Sequence, residues 1–185
     1  MEQIPRHQCL MYRGEPTRQL VGLTLMIRKK LQANYRCLYL NNDAMVAHIR
    51  SYLTSSGLNV ADAVREKRLI LTSDRSHLVD GIFDPARMMD LLEAAHDDAL
   101  RDGYAGLWAS GDMAWEFGPA RDFSKLMEYE RKLEAFFQTH PALSGVCQYH
   151  ADLLPDAVMQ QGLDLHPGIF VNETLSRINP RYLPA

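Results

Sequence analysis

The chain has 185 residues, of which 46% are hydrophobic and 23% are charged, and its net charge is −3. A chain of this length and ordinary globular composition is expected to form one domain, over residues 1–185, that buries about 70% of its unfolded surface. The small negative charge provides no field that would attract nucleic acid or an acidic membrane, and no apolar run reaches membrane-spanning length.

The N-terminal sequence MEQIPRHQ lacks the apolar core of a signal peptide. The three cysteines, Cys9, Cys37 and Cys147, lie in apolar, strand-like contexts. An odd number of cysteines without a secretion signal predicts reduced thiols and a cytoplasmic protein.

The first predicted unit is a strand, a turn and a helix between His7 and Leu31. HQCLMY is an apolar run typical of a buried strand, RGEPT is a turn sequence, and apolar residues then recur at helical spacing. A strand followed by a loop and a helix N-terminus binds phosphate in nucleotide-binding α/β proteins. This loop has a single glycine, Gly14, and no lysine, so we expect it not to bind phosphate.

The rest of the chain alternates apolar strands with amphipathic helices. Strands are predicted at 35–41, 68–72, 104–110, 145–150 and 168–171, and helices at 43–56, 60–67, 85–102, 122–137 and 155–161. Residues 73–83 are predicted to be irregular, and residues 113–117 to lead into a loop. Such alternation predicts an α/β fold with a mostly parallel sheet and helices on both faces. Ligands bind such sheets beyond the carboxyl ends of the strands, which indicates residues 12–17, 41–43, 110–115 and 150–153.

Five short motifs follow one another along the chain: H-x-C-x-x-Y (His7, Cys9, Tyr12), G-D-M-x-W (Gly111 to Trp115), Tyr129-Glu130, C-Q-Y (Cys147 to Tyr149) and His166-Pro167. Together they resemble the MEDS domain, a sensory domain named from methanogens, methylotrophs and the regulator of dichloromethane use, DcmR. The resemblance covers a core of about residues 7–182.

The resemblance implies a three-layer, RecA-like fold related to RecA/KaiC-type ATPases, with a degenerate phosphate loop. It also implies that the domain senses a small organic, hydrocarbon-derived ligand and is usually fused to a DNA-binding domain or a histidine kinase. No output domain is recognisable in this sequence. We therefore expect signalling through a partner, such as a histidine kinase or a regulator, or through a homo-oligomer, without direct nucleic-acid binding.

The motifs and the strand-end rule together predict a partly apolar ligand site formed by Tyr12, Asp112, Trp115, Glu130, Cys147, Tyr149, His7 and His166. Several roles stay open. Asp112 could contact the ligand or cap the next segment, and Trp115 could wall the pocket or fill the core. Glu130 could face solvent or face inward, in which case Arg13 or His166 could be its partner. His166 could equally be an ordinary loop residue.

No cofactor and no metal ion are expected. Side-chain alternation places Cys147 and His150 on opposite faces of one strand, so these two cannot converge with His7 and Cys9. The sequence also contains no C-x-x-C pair. We expect a protein without catalytic activity. The alternatives are residual nucleotide hydrolysis or other chemistry at Asp112 and Glu130, and a pure protein-interaction module.

Overall fold

The computed structural model of the protein describes residues 5–172 and 176–183. Its strands, in chain order, are β1 (His7–Tyr12), β2 (Tyr35–Leu40), β3 (Leu69–Thr72), β4 (Leu78–Val79), β5 (Ile82–Phe83), β6 (Gly106–Asp112), β7 (Leu143–His150), β8 (Gly168–Phe170) and β9 (Ser176–Ile178). Seven of them form one sheet in the order β3-β2-β6-β7-β1-β8-β9, while β4 and β5 form a separate hairpin. In the large sheet β8 and β9 pair antiparallel, and every other pair is parallel.

Within these described ranges, seven α-helices cover the sheet: α1 (Leu20–Gln32), α2 (Asp43–Ser55), α3 (Val60–Arg65), α4 (Pro85–Arg101), α5 (Met113–Glu116), α6 (Leu126–Thr139) and α7 (Asp156–Leu165). The apolar faces of α1, α2 and α3 pack on one side, and those of α4, α5, α6 and α7 pack on the other. Among the described residues, no helix is long and apolar enough to cross a membrane. The predicted three-layer α/β fold with a mostly parallel sheet is confirmed.

Alternation along the strands divides the core into two halves. In β1, Leu10 and Tyr12 pack toward α1 to α3, whereas Cys9 packs toward α4 to α7. In β7, Val146 belongs to the first half and Cys147 to the second. Adjacent positions on one strand therefore supply side chains to opposite layers.

Two predicted helix boundaries are wrong. The helix predicted from Asp122 begins at Leu126, because Asp122 instead closes a turn by accepting a hydrogen bond from the Ser124 amide at 2.9 Å. The helix predicted to end before Gly162 continues to Leu165. A Cβ atom at position 162 would lie 2.7 Å from the Tyr149 ring, so this glycine permits a close helix–sheet contact instead of ending the helix.

Two segments predicted to be irregular are ordered. Residues 73–83 contain the β4–β5 hairpin, whose Asp80-Gly81 turn has φ values of 52° and 79°. Positive φ at both central residues is the geometry that an Asp-Gly hairpin turn favours. Residues 113–116 form α5, which Asp112 caps. The short strand β9 was not predicted, since it pairs only with the sheet-edge strand β8.

Candidate functional site

The adjacent strands β2, β6, β7 and β1 end beside a cavity of about 200 Å³. In open α/β sheets this edge is where ligands bind. The lining includes Tyr12, Asn41, Asp112 and His150 at the strand ends, together with Arg75, Trp115, Arg121 and Leu153 from the loops. The volume is smaller than the roughly 300–1,000 Å³ of pockets for drug-sized ligands.

The Asp112 carboxylate is already hydrogen-bonded within the protein. Its Oδ1 accepts a hydrogen bond from the Trp115 amide at 2.9 Å, and its Oδ2 accepts one from the Tyr12 hydroxyl at 3.4 Å. Burial raises the pKa of Asp112 above its usual value, although these two donors favour the ionised form. Asp112 therefore caps α5, and a contact with a ligand stays a prediction.

His150 is a buried residue of this cavity that the predicted site omitted. Its ring stacks on Tyr12, with 4.7 Å between centroids and an interplanar angle of 11°. Neither ring nitrogen has a hydrogen-bond partner among residues 5–172 and 176–183. The nearby Asp152 Oδ2 is 3.6 Å from Nε2, beyond hydrogen-bond distance. Polar atoms buried without partners are costly, which marks His150 as a residue with unused binding capacity.

The loop in the position of a phosphate loop is held by a carboxylate of the protein itself. The Gly14 amide donates to Asp152 Oδ2 at 2.7 Å, and Arg13 Nη1 donates to Oδ1 at 3.3 Å. The Gly14 amide and the Arg13 charge hold the pKa of Asp152 below its usual range. Residues Pro16–Gln19 then form a 3-10 turn that leads into α1. The Asp152 carboxylate is thus already hydrogen-bonded to the Gly14 amide, which a phosphate would otherwise bind.

Trp115 is both a core residue and part of the cavity wall. Its side chain is 4% exposed and its ring lies 5.3 Å from that of the buried His77. The guanidinium carbon of Arg75 lies 5.7 Å from the centroid of the indole. Trp115 therefore fills the core and also lines the cavity, and its contact with a ligand stays a prediction.

A second polar group lies on the opposite face of the sheet, beneath α6 and α7. His7, Glu130, Cys147 and His166 are buried there, and one side-chain donor atom from each lies within 4.8 Å of all the others. Glu130 Oε2 is 3.7 Å from His166 Nε2, and Glu130 Oε1 accepts a hydrogen bond from the Tyr149 hydroxyl. Of the two partners considered for Glu130, His166 is the neighbour, while Arg13 is exposed beside Asp152.

Burial dominates the ionisation of this group. It raises the pKa of Glu130 and of Cys147, and it lowers the pKa of His7 to about 3, with the nearby His166 adding to the effect. Glu134 behaves differently, because its hydrogen bond from His7 holds its pKa below the usual value despite partial burial.

The eight predicted site residues thus fall into two places. Tyr12, Asp112 and Trp115 line the strand-end cavity. The other five, His7, Glu130, Cys147, Tyr149 and His166, gather on the opposite face. Sequence reasoning omitted His150 from the site although the strand-end rule indicated it. It also omitted Glu134, whose spacing of four residues from Glu130 on one helix was the available signal.

Comparison with known proteins supplies the remaining information. A family model described as "MEthanogen/methylotroph, DcmR Sensory domain" (MEDS) matches residues 6–167. No curated protein sequence matches at a significant level.

Two solved structures are similar to this chain, each with a TM-score of 0.61 and 13% sequence identity. The flagellar accessory protein FlaH from Methanocaldococcus jannaschii matches over 97% of this chain and 80% of its own. The uncharacterized protein PH0321 from Pyrococcus horikoshii, solved with an unknown peptide, matches over 94% of this chain and 82% of its own. At this identity the likeness concerns the fold alone, and it agrees with the RecA-like architecture predicted above.

Proposed function

Because the chain belongs to the MEDS family of sensory domains, we propose that it is a non-catalytic sensor that binds a small organic molecule in the strand-end cavity. The observation that carries this proposal is His150. Its imidazole is buried against the cavity, and neither nitrogen has a hydrogen-bond partner in the described part of the chain. A ligand with one polar group would satisfy a nitrogen that the protein leaves unpaired.

The walls of the cavity combine apolar and polar groups, which suits a short molecule that has both characters. Tyr12 and Trp115 provide aromatic surface, while His150, Asp112 and the two arginines of the lining provide polar and charged atoms. Small-molecule sites usually join apolar surface to placed polar groups. The small volume also agrees with the hydrocarbon-derived ligands implied by the family resemblance.

The proposed ligand site therefore keeps Tyr12, Asp112 and Trp115 from the predicted set and adds His150. The signal would leave the domain through a partner protein or a second copy of the chain. A ligand-dependent change in the position of the loops around Arg75 and Arg121, which line the same cavity, is the change that we propose such a partner detects.

The test is a comparison of His150→Phe with the wild type. Native mass spectrometry of the purified protein would identify a co-purifying molecule, and thermal shift would screen short-chain alcohols, chlorinated alkanes and carboxylates. Phenylalanine keeps the stacking on Tyr12 but removes both nitrogens, so we expect at least about a tenfold loss of affinity, or 1.4 kcal/mol. His48→Phe, at an exposed position of α2, is the matched control and should bind normally. Unchanged affinity in His150→Phe, or no bound molecule from either source, would contradict the proposal.

We also expect ATP with magnesium to bind no more tightly than about 1 mM, equivalent to roughly −4 kcal/mol. The reason is that the loop has no lysine and its Gly14 amide is engaged by Asp152. Titration calorimetry measures this directly. Asp152→Ala serves as the control, because it frees the amide without supplying the missing lysine and should also bind weakly. Micromolar binding by the wild type, or hydrolysis lost in Asp112→Asn, would favour an enzyme instead.

A further inference from the structure

We propose that His7, Glu130, Cys147 and His166 form a closed binding site for one divalent transition-metal ion, and that zinc is the ion that fits best. This site lies on the face of the sheet opposite the strand-end cavity. It does not depend on the sensory function proposed above, and it revises the expectation that the chain holds no metal.

The spacing of the donors fits a tetrahedral ion. His7 Nε2 lies 3.6 Å from Cys147 Sγ and 4.0 Å from Glu130 Oε2, and His166 Nε2 lies 3.7 Å from the same oxygen. Metal–ligand distances of about 2.0–2.3 Å in a tetrahedron place neighbouring donors roughly 3.3–3.8 Å apart. The remaining pairs of donors lie within 4.8 Å of each other, so a contraction of at most about 1 Å would bring all four atoms into coordination distance.

The chemistry of the donor set also fits zinc. A thiolate and two imidazoles are the ligands that zinc prefers, and a carboxylate oxygen completes many of its sites. Glu130 and the thiolate of Cys147 would contribute two negative charges, which balance those of a divalent cation in a buried place. The proton of the Cys147 thiol would pass to solvent on binding.

Each imidazole is oriented by a hydrogen bond on its far side. His7 Nδ1 lies 2.7 Å from Glu134 Oε2, and His166 Nδ1 lies 2.7 Å from the Gly162 carbonyl oxygen. With Nδ1 donating, Nε2 of each ring presents its lone pair to the centre of the cluster. A carboxylate or a backbone carbonyl behind a histidine is the usual outer support of a metal ligand. Glu134 is itself fixed by the Tyr182 hydroxyl at 2.8 Å.

Two of the four donor atoms at the centre of the cluster lack hydrogen-bond partners. Glu130 Oε2 and His166 Nε2 are buried and make no hydrogen bond to any residue that the structure describes. The other oxygen of Glu130 is occupied by the Tyr149 hydroxyl, so the free oxygen is the one that faces His7 and His166. Two unpaired polar atoms directed at one point are costly without an ion and favourable with one.

Four protein donors leave no open coordination position for a substrate or water, which is the arrangement of a structural rather than a catalytic metal. The donors come from β1, α6, β7 and the residue that follows α7. A bound ion would therefore join the first strand of the chain to its last α-helix.

The test uses the untagged full chain, purified without added metal and analysed by elemental mass spectrometry. We expect about one zinc ion per chain in the wild type, and loss of that zinc in Cys147→Ser. Cys9→Ser is the matched control, because Cys9 is also buried and pairs with Cys147 in the β1–β7 register, yet its sulfur is not among the four donors. It should keep the metal. Cobalt added to stripped wild-type protein should give the visible absorption of a tetrahedral, thiolate-bound ion.

Glu134→Gln keeps all four donors and covers the case in which Cys147→Ser does not fold. It should lower zinc affinity by about 10–100-fold, the usual effect of removing an outer partner. The proposal is overturned if the folded wild type contains no stoichiometric metal and neither zinc nor cobalt raises its melting temperature. It is equally overturned if Cys9→Ser loses the metal and Cys147→Ser retains it.

Discussion

Trp115→Ala is expected to lower the free energy of unfolding by about 3–5 kcal/mol, the usual cost of truncating a fully packed tryptophan. The indole is 4% exposed, and it packs on His77, whose ring is T-shaped against Phe83 in the same core. Removing it would open a void between α5 and the β4–β5 hairpin. Urea denaturation followed by circular dichroism measures the loss.

The same variant tests whether the Trp115 side chain contacts a ligand in the strand-end cavity. For a small ligand that packs on the indole, the loss of affinity should be on the order of 1–3 kcal/mol in addition to the loss of stability. Leu153→Ala is the matched control, because Leu153 lines the same cavity but is 43% exposed, so it should weaken binding with little change in stability. If the folded fraction of Trp115→Ala binds a ligand of the cavity with unchanged affinity, Trp115 is purely structural.

Gly162→Ala is expected to destabilise the protein although it replaces glycine inside a helix. In an unhindered helix the change gains up to about 1 kcal/mol. At position 162, however, the new Cβ would lie 2.7 Å from two atoms of the Tyr149 ring and 3.2 Å from Met11 Cε. Overpacking of this kind costs about 1–3 kcal/mol, so the net effect should be a loss.

Gly22→Ala provides the control of opposite sign. Gly22 lies in α1, and the nearest atom to its Cβ would be Cε1 of Phe170 at 3.6 Å, an ordinary contact distance. This variant should raise the melting temperature while Gly162→Ala lowers it. Equal effects of the two substitutions would show that the contact between α7 and Tyr149 is not tight. The Tyr149 hydroxyl holds Glu130, so Gly162→Ala should also weaken any metal bound there.

The α/β architecture could be predicted from the sequence because local patterns of apolar residues determine it. Apolar runs such as HQCLMY are too short for helices and lack the alternation of half-exposed strands, so they indicated a sheet buried on both faces. The helix boundary predicted at Gly162 was wrong because a contact between residues distant in the sequence determines it. Gly162 has the local appearance of a helix end, and only the approach of Tyr149, from a separate strand, explains why the helix continues.

The side-chain clusters were harder to predict for a similar reason. The alternation of side chains along β7 correctly placed Cys147 and His150 on opposite faces of the sheet, and for that reason a metal site was not expected. Alternation along a strand gives no information about donors outside the strands. Glu130 enters the cluster from α6, and His166 enters it from the end of α7. Their approach depends on how α6 and α7 pack, which no spacing in a single sequence specifies.

The position of β1 inside the sheet has a consequence for synthesis of the chain. Both strands that flank β1, β7 and β8, lie more than a hundred residues later in the chain. At roughly 5–20 residues per second, the unpaired N–H and C=O groups along the edges of β1 wait about 7–26 s until β7 has been made. The nascent chain therefore carries β1 without its partners while residues 13–142 are made, which favours protection by a chaperone, and β8 can join the sheet only after α7 has been made.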